Sequence, residues 1–139
     1  MESIRIDDGI VRIMVNDDPD RLITFRPRDL GFAERVYALI RHYDLAEQEY
    51  KQRAAELEGR PDPDPEAEFA LLREICEDAK ARIDGVFGAG TSAAAFGDMI
   101  DPSMFAQFFN GVTPYIEAAR KPRMDKYTAV SKASGVLRK

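Results

Sequence analysis

The stretch that decides how this chain folds covers residues 83–120 and reads IDGVFGAGTSAAAFGDMIDPSMFAQFFNGVTPYIEAAR. It concentrates glycine, small residues and aromatic residues, and together with Phe69 just upstream it holds six of the eight phenylalanines. Full burial of a phenylalanine contributes roughly 1.5 to 3 kcal/mol to stability, so this many rings are expected to have a structural or binding role. They form either one layer of the core or an exposed apolar surface.

Turn and cap signals divide this stretch into short helices. Gly85, Gly88 and Gly90 predict the end of a preceding helix and a sharp change of direction. Thr91 or Ser92 is a plausible cap for a short helix over 93–96, which Gly97-Asp98 would end. A further helix is expected to start at Asp101-Pro102, break at Thr113-Pro114 and restart there. We therefore expect a cluster of short helices over 85–120.

Two longer helices are predicted upstream, at about 29–58 and 65–84. Asp29 and Asp64 are suitable N-caps, and Pro65 fits the first helical position. Apolar residues recur at intervals of three and four in each segment, which is typical of one buried helix face. A proline-rich turn over 59–65 separates the segments, so they are expected to form an antiparallel helical hairpin over 29–84. The predicted stripes comprise Phe32, Val36, Leu39, Tyr43, Ala46, Tyr50 and Leu57, then Phe69, Leu72, Cys76, Ala79, Ile83 and Val86.

Residues 1–28 predict a small antiparallel β meander. Apolar residues two apart at 4–6, 11–15 and 23–25 are typical of strands. Asp8-Gly9 is a strong signal for a tight turn, and residues 16–20 indicate a second, looser turn. The fold class expected is α+β and mainly helical, with a small N-terminal antiparallel sheet, a helical hairpin and a cluster of short C-terminal helices.

Charge is distributed unevenly along the chain. Residues 120–139 carry seven basic residues and one acid, whereas residues 1–119 carry 13 basic and 24 acidic residues. We expect one domain over 1–120, followed by a basic, flexible tail over 121–139. An acidic body repels phosphates, which argues against a nucleic-acid partner. No apolar run approaches the roughly 20 residues needed to cross a membrane, and no secretion signal is evident, so the cytoplasm is expected.

The candidate catalytic and ligand-binding motifs are all weak. Gly88-Ala89-Gly90-Thr91-Ser92 lacks the lysine of a phosphate-binding loop and follows a helix. The single His42 and single Cys76 lie on helices predicted to be neighbours, but Cys76 belongs to an apolar stripe.

Carboxylates give no stronger signal. Asp98 and Asp101 resemble a carboxylate pair, although Asp101 is better explained as a cap. The acidic turns lack the ligand spacing of a calcium loop. We expect no enzyme activity, catalytic residue, cofactor or metal.

The stronger functional signal is an adaptable apolar surface near Gly97 and Gly111. Methionine and phenylalanine on glycine-hinged helices make surfaces that re-pack against a partner helix. The competing interpretation is that these side chains form a layer of the core. The candidate partner-binding residues are Met99, Met104, Phe105, Phe108, Phe109 and Tyr115.

Two segments carry a resemblance to a known family. The first is FRPRDLGFAERVYALIRHYD over 25–44. It resembles a family pattern in which a strand ends in a Pro-x-Asp turn and leads into a helix with the sequence Phe-x-Glu-Arg-x-Tyr-x-Leu. A variant of that helix pattern is formed here by Phe32, Glu34, Arg35, Tyr37 and Leu39. A second signature covers Ile83-Asp84-x-Val86-Phe87-Gly88-x-Gly90-Thr91, then Phe96-Gly97-Asp98 and Phe108-Phe109-x-Gly111-x-Thr113-Pro114-Tyr115. Over residues 20–120 the chain resembles tail assembly chaperones of tailed, siphovirus-type bacteriophages and prophages of Gram-positive bacteria.

This resemblance implies a function without catalysis, in the host cytoplasm. The implied partner is the phage tape measure protein, a long helical chain that is kept soluble until tail tube protein polymerises around it. The tail tube protein itself and other copies of the chain are further possible partners, while nucleic acid and membrane are not expected. A structural tail or connector component of the virion is the alternative. A small regulatory module whose basic tail contacts nucleic acid is a third hypothesis.

Overall fold

The computed structural model describes the backbone of residues 1–62 and 64–137 and the side chains of residues 1–62 and 64–120. Two strands and four helices follow one another in this part of the chain. They are β1 (Val11–Val15), β2 (Asp18–Phe25), α1 (Leu30–Glu58), α2 (Pro65–Phe87), α3 (Thr91–Phe96) and α4 (Ser103–Leu137). The predicted fold class, mainly helical α+β with a small N-terminal antiparallel sheet, is confirmed.

A two-stranded β-hairpin replaces the predicted meander. Its turn is formed by Asn16 and Asp17, whose φ angles of 54° and 59° are both positive. These are the angles of a tight I′ turn, which suits the twist of a hairpin and tolerates asparagine and aspartate. Ile13 pairs with Ile23, and the register shifts after Met14 so that β2 bulges between its turn and its core-facing residues.

Residues 1–10 form no strand, so the expected turn at Asp8-Gly9 does not connect two strands. Asp7 instead accepts from the Gly9 amide at 3.0 Å, and Arg28 donates to the Asp7 carbonyl oxygen at 3.0 Å. Gly9 has a φ of +65°, and a Cβ there would lie 2.4 Å from the Arg28 guanidinium. The absence of a side chain at Gly9 therefore leaves room for the Arg28 guanidinium. The apolar residues Ile4 and Ile6 are exposed.

The helical hairpin forms with the predicted caps. The Asp29 carboxylate accepts from the Gly31 amide, and the Asp64 carboxylate accepts from the Ala67 amide. The second helix extends to Phe87, so Gly85 lies inside it, and Gly88 ends it with a φ of 119°. Phe69, predicted to lie on the buried stripe, is 66% exposed because α4 packs beside Tyr43 and not along this end of the hairpin, whereas Leu71, which was not part of the predicted stripe, is buried.

One long helix, α4, stands where two short helices and a tail were predicted. Pro114 lies inside this helix. A proline in a helix costs about 3 kcal/mol. Val112 and Ile116 on either side of it are almost fully buried, and such burial contributes roughly 1.5 to 3 kcal/mol for each side chain. Tertiary packing thus outweighs the tendency of Pro114 to break the helix. The side chains of the predicted tail over 121–139 lie outside the described residues.

The core is organised around a continuous network of aromatic rings. Phe87 contacts Phe25 and Phe32 with ring centroids 5.8 and 5.1 Å apart, and it contacts Phe108 at 5.1 Å. Phe108 continues the network to Phe96 at 5.6 Å. These rings come from β2 and all four helices, so the network ties every layer of the described structure together. Its members are Phe25, Phe32, Tyr43, Phe87, Phe96, Phe105, Phe108, Phe109 and Tyr115.

Replacing Phe87 by alanine should lower the free energy of unfolding by about 3 to 5 kcal/mol, since the substitution leaves a cavity between three ring partners. Phe69→Ala is the matched control because it removes the same atoms from an exposed site, and it should change stability by no more than about 0.5 kcal/mol. Urea denaturation monitored by circular dichroism measures both values. Equal effects would contradict this account of the core.

Candidate partner-binding grooves

The structure divides the six predicted partner-binding residues into two groups. Phe105, Phe108 and Phe109 are only 1%, 7% and 7% exposed, so the prediction that their rings form an open docking face is wrong. Their rings lie against Tyr43, Phe87 and Phe96 and form a layer of the core. Met99 and Tyr115 are 55% and 40% exposed. Met104 is partly buried against the core.

Part of the predicted surface nevertheless lines an open groove between the β-hairpin and α4. This sheet groove has a volume of about 280 Å³. Gly111 leaves its wall bare, because a Cβ built there would meet no atom within 4 Å outside its own helix backbone. The residues that line the groove are Ile13, Met14, Val15, Asn16, Ile23, Ala95, Phe96, Met104, Gln107, Phe108, Gly111 and Val112.

A second groove, which sequence reasoning missed, runs between α1 and α2. This hairpin groove has a volume of about 480 Å³ and is lined by Leu39, His42, Tyr43, Leu45, Ala46, Glu49, Tyr50, Arg53, Glu74, Ile75, Asp78, Ala79, Arg82 and Phe109. Side-chain contacts join its two walls, with a His42 nitrogen 3.4 Å from an Asp78 oxygen and an ion pair between Arg53 and Glu74 at 3.3 Å. The predicted apolar stripe continues beyond Leu39 through Tyr43, Ala46 and Tyr50, which are only partly buried in the structure. The apolar spacing in the sequence does not show at which of these residues packing by other elements ends.

Two tyrosines of the hairpin groove have perturbed acidity. Burial raises the pKa of Tyr43 and of Tyr50 above the ordinary value, and nearby carboxylates add to the effect. Both hydroxyls therefore stay protonated at neutral pH and act as hydrogen-bonding groups. The Tyr43 hydroxyl already donates to the Pro102 carbonyl oxygen at 3.2 Å. These tyrosines are suited to contact and not to general-base chemistry.

The glycine-rich segment before α3 is a structural turn. The Asp84 carboxylate accepts from the Ser92 amide and from the Ser92 hydroxyl, both at 2.8 Å, and so occupies the place that an anion would take at the start of α3. Its negative charge would also repel a phosphate. Sequence reasoning missed Asp84 because it lies on the preceding helix, outside the segment that it caps.

Two cationic side chains, Arg21 and Lys80, donate hydrogen bonds at the end of α3 and in the segment just after it. Arg21 donates to the carbonyl oxygens of Ala94 and Ala95 at 2.8 and 3.0 Å, and Lys80 donates to that of Met99 at 2.6 Å. The two Arg21 bonds satisfy carbonyl groups in the last turn of α3, which ends at Phe96, whereas Met99 lies beyond that end. These carbonyl groups around α3 therefore have hydrogen-bond partners within the chain.

The suggested cysteine and histidine pair does not assemble. Cys76 is fully buried, and burial raises the pKa of its thiol, so it remains a neutral core group. His42 contacts Asp78 instead. Asp101 caps α4 by accepting from the Ser103 amide at 3.0 Å, and Asp98 is exposed. Within the described residues, no group of three or more histidine, cysteine, aspartate or glutamate side chains is placed to bind a metal.

Two further observations concern membrane-spanning helices and similarity to known proteins. Within the described residues, none of the helices combines the length and apolar character needed to span a bilayer. Comparison with family models, with curated proteins and with solved structures finds no match to this chain.

The burial of Cys76 predicts an inert thiol. At about pH 8, where an ordinary cysteine of pKa near 8.5 reacts readily, we expect the native protein to react with Ellman's reagent many times more slowly than the urea-unfolded protein. Because burial raises the pKa, the neutral thiol persists as the pH rises past the value at which the unfolded chain begins to ionise. Equal rates for native and unfolded protein would contradict this placement.

Proposed function

We propose that this protein is a tail assembly chaperone of a tailed bacteriophage or prophage, which binds helical segments of the tape measure protein and keeps them soluble during tail assembly. No chemical step is part of the proposal. The sequence resemblance over residues 20–120 supplies the family, and one structural observation supplies the surface. That observation is the open sheet groove between the β-hairpin and α4.

The groove suits a helical partner for physical reasons. Phe108 and Val112 give it an apolar floor, and Met104 contributes a flexible side chain that adapts to different sequences. Gly111 lets another backbone approach α4 closely, as small residues do where helices pack together. Met99 lies exposed on the segment that leads into α4. The partner therefore meets adaptable apolar surface, while the core rings stay covered.

Charge supports the same role. Residues 1–119 carry a net charge of −11, from 13 basic and 24 acidic residues. A net charge well away from zero keeps a protein and its apolar cargo soluble. We place this escort in the host cytoplasm, where tails assemble, with the tape measure protein as the principal partner.

The alternative function is a structural tail or connector component of the virion. It is favoured by Met14 and Leu22, which pair across the two strands and are 54% and 45% exposed. Such an apolar pair on the outer side of a small sheet suits a permanent subunit contact. Mature virions distinguish the two functions, since a chaperone is absent from them and a structural component is present in fixed number.

Filling the sheet groove at Gly111 should abolish binding without harming the fold. Gly111→Gln places a long side chain on the bare wall, and the loss of a helical glycine should raise the free energy of unfolding by about 0.5 to 1 kcal/mol. Gly85→Gln is the matched control, since that helical glycine is also open around its Cβ and lies outside the sheet groove. Soluble yield of the coexpressed tape measure protein is the measurement.

We expect the wild-type protein and the Gly85 variant to keep the tape measure protein soluble, and the Gly111 variant to leave most of it in the pellet. If the tape measure protein is no more soluble with the wild-type protein than alone, the proposed function fails. If the two variants act alike, the sheet groove is not the binding surface.

A further inference from the structure

The distal part of the helical hairpin is strongly acidic. Residues 44–74, which we call the distal hairpin, carry ten acidic and four basic residues, a net charge of −6. Residues 120–139, the basic segment, carry seven basic residues and one acid, a net charge of +6. Two stretches of one chain therefore have equal and opposite charge.

The described part of α4 runs away from the distal hairpin. Near its start, α4 packs on the middle of α1, where Phe109 and Tyr43 have ring centroids 5.5 Å apart. Further along, Tyr115 contacts Phe25 at 5.9 Å, and the Tyr37 hydroxyl donates to the Glu117 carboxylate. The contacts of α4 thus move back toward the start of α1 and away from the distal hairpin. From Phe109 to Arg120 the helix advances about 16 Å in that direction.

A chain with this geometry cannot place its basic segment on its own distal hairpin. The α4 backbone remains helical to Leu137, so the chain does not turn back before that residue. The same acidic surface is present on the distal hairpin of every other copy of the chain. Charge complementarity steers such an encounter and fixes its orientation.

The distal hairpin also offers apolar surface to an incoming helix. Leu45 is 61% exposed and Phe69 is 66% exposed. Leu45 also lines the hairpin groove of about 480 Å³, together with Tyr50 and Ile75. The basic segment has matching content, since its sequence places Met124, Tyr127, Val130 and Leu137 at intervals of three, three and seven. Such spacing is typical of an amphipathic helix.

We propose that the basic segment of one copy docks on the distal hairpin of a second copy, with its apolar residues at the hairpin groove and its cations facing the surrounding carboxylates. The occupant of the hairpin groove is thus a second copy of this chain. The contact is heterologous, so each added copy presents a new free segment and a new free groove, and association continues beyond a dimer unless a ring closes. This self-association is independent of the proposed chaperone function.

Charge reversal in the full-length protein tests the proposal. Glu56 and Glu58 are exposed in the last turn of α1, where lysine is favourable for the helix dipole, so E56K/E58K should fold normally. K126E/K132E is the corresponding change in the basic segment. We expect sedimentation equilibrium at about 50 mM salt to show concentration-dependent association of the wild-type protein, weakened as the salt rises to about 500 mM.

Each double variant should raise the dissociation constant by about tenfold or more. The variant that combines both reversals should regain most of the affinity, because attraction is restored with the signs exchanged. E2K/D98K is the matched control, since it makes the same change in net charge at two exposed acids outside the distal hairpin, and it should associate like the wild type. Far-UV circular dichroism checks that every variant is folded.

Three results would overturn the proposal. The first is a wild-type protein that stays monomeric at every concentration in low salt. The second is association that E56K/E58K leaves unchanged or that E2K/D98K weakens equally. The third is a combined variant no tighter than either double variant. Because the tape measure protein is absent from this experiment, failure here leaves the proposed chaperone function to its own test.

Discussion

The contact of Phe87 with Phe25, Phe32 and Phe108 is the constraint on which the rest of the structure depends. It joins the end of α2 to β2, α1 and α4 at one point. Edge-to-face ring contacts of this kind add about 0.5 to 1.5 kcal/mol each beyond the burial of apolar area. A two-stranded sheet is too small to be stable alone. Its core-facing residues Ile23 and Phe25 are buried because the helices supply the other side.

The short helix α3 is the second fixed element, and ionic groups hold it at both ends. Asp84 accepts from the Ser92 amide near its start, while Arg21 donates to the carbonyl oxygens of Ala94 and Ala95 near its end. These partners come from α2 and β2, so α3 fastens the sheet to the helical hairpin. The same bonds occupy the polar groups that would otherwise be free for chemistry. Within the described residues, no buried side-chain nitrogen or oxygen lacks a hydrogen-bond partner.

Among the described residues, the sheet groove and the hairpin groove are two concave surfaces that different pairs of elements form. The sheet groove is small and apolar and borders Gly111. The hairpin groove is larger, contains tyrosines and is crossed by the contact between His42 and Asp78 and by the ion pair between Arg53 and Glu74. The hairpin groove is lined by charged side chains of both signs, whereas no described aspartate, glutamate, lysine or arginine lines the sheet groove.

The sequence by itself determined the elements whose signals are local. The carboxylates of Asp29 and Asp64 start the helices, three-four apolar spacing forms the hairpin, and alternation marks β1 and β2, because caps and periodicity act over a few residues. The candidate site was predicted only in part: Met104 and Phe108 line the sheet groove, but the rings of Phe105, Phe108 and Phe109 are buried. Apolar spacing shows that a side of a helix needs cover and does not show whether the same chain provides it.

Only the tertiary structure decided those questions. Pro114 remains inside α4 because buried neighbours hold the helix together across it. Phe69 is exposed because α4 packs beside Tyr43 and not along the distal hairpin. Asp84 and Arg21 find their partners eight and more than seventy residues away. Such long-range contacts depend on how whole elements pack, and this is the physical reason why local pattern could not supply them.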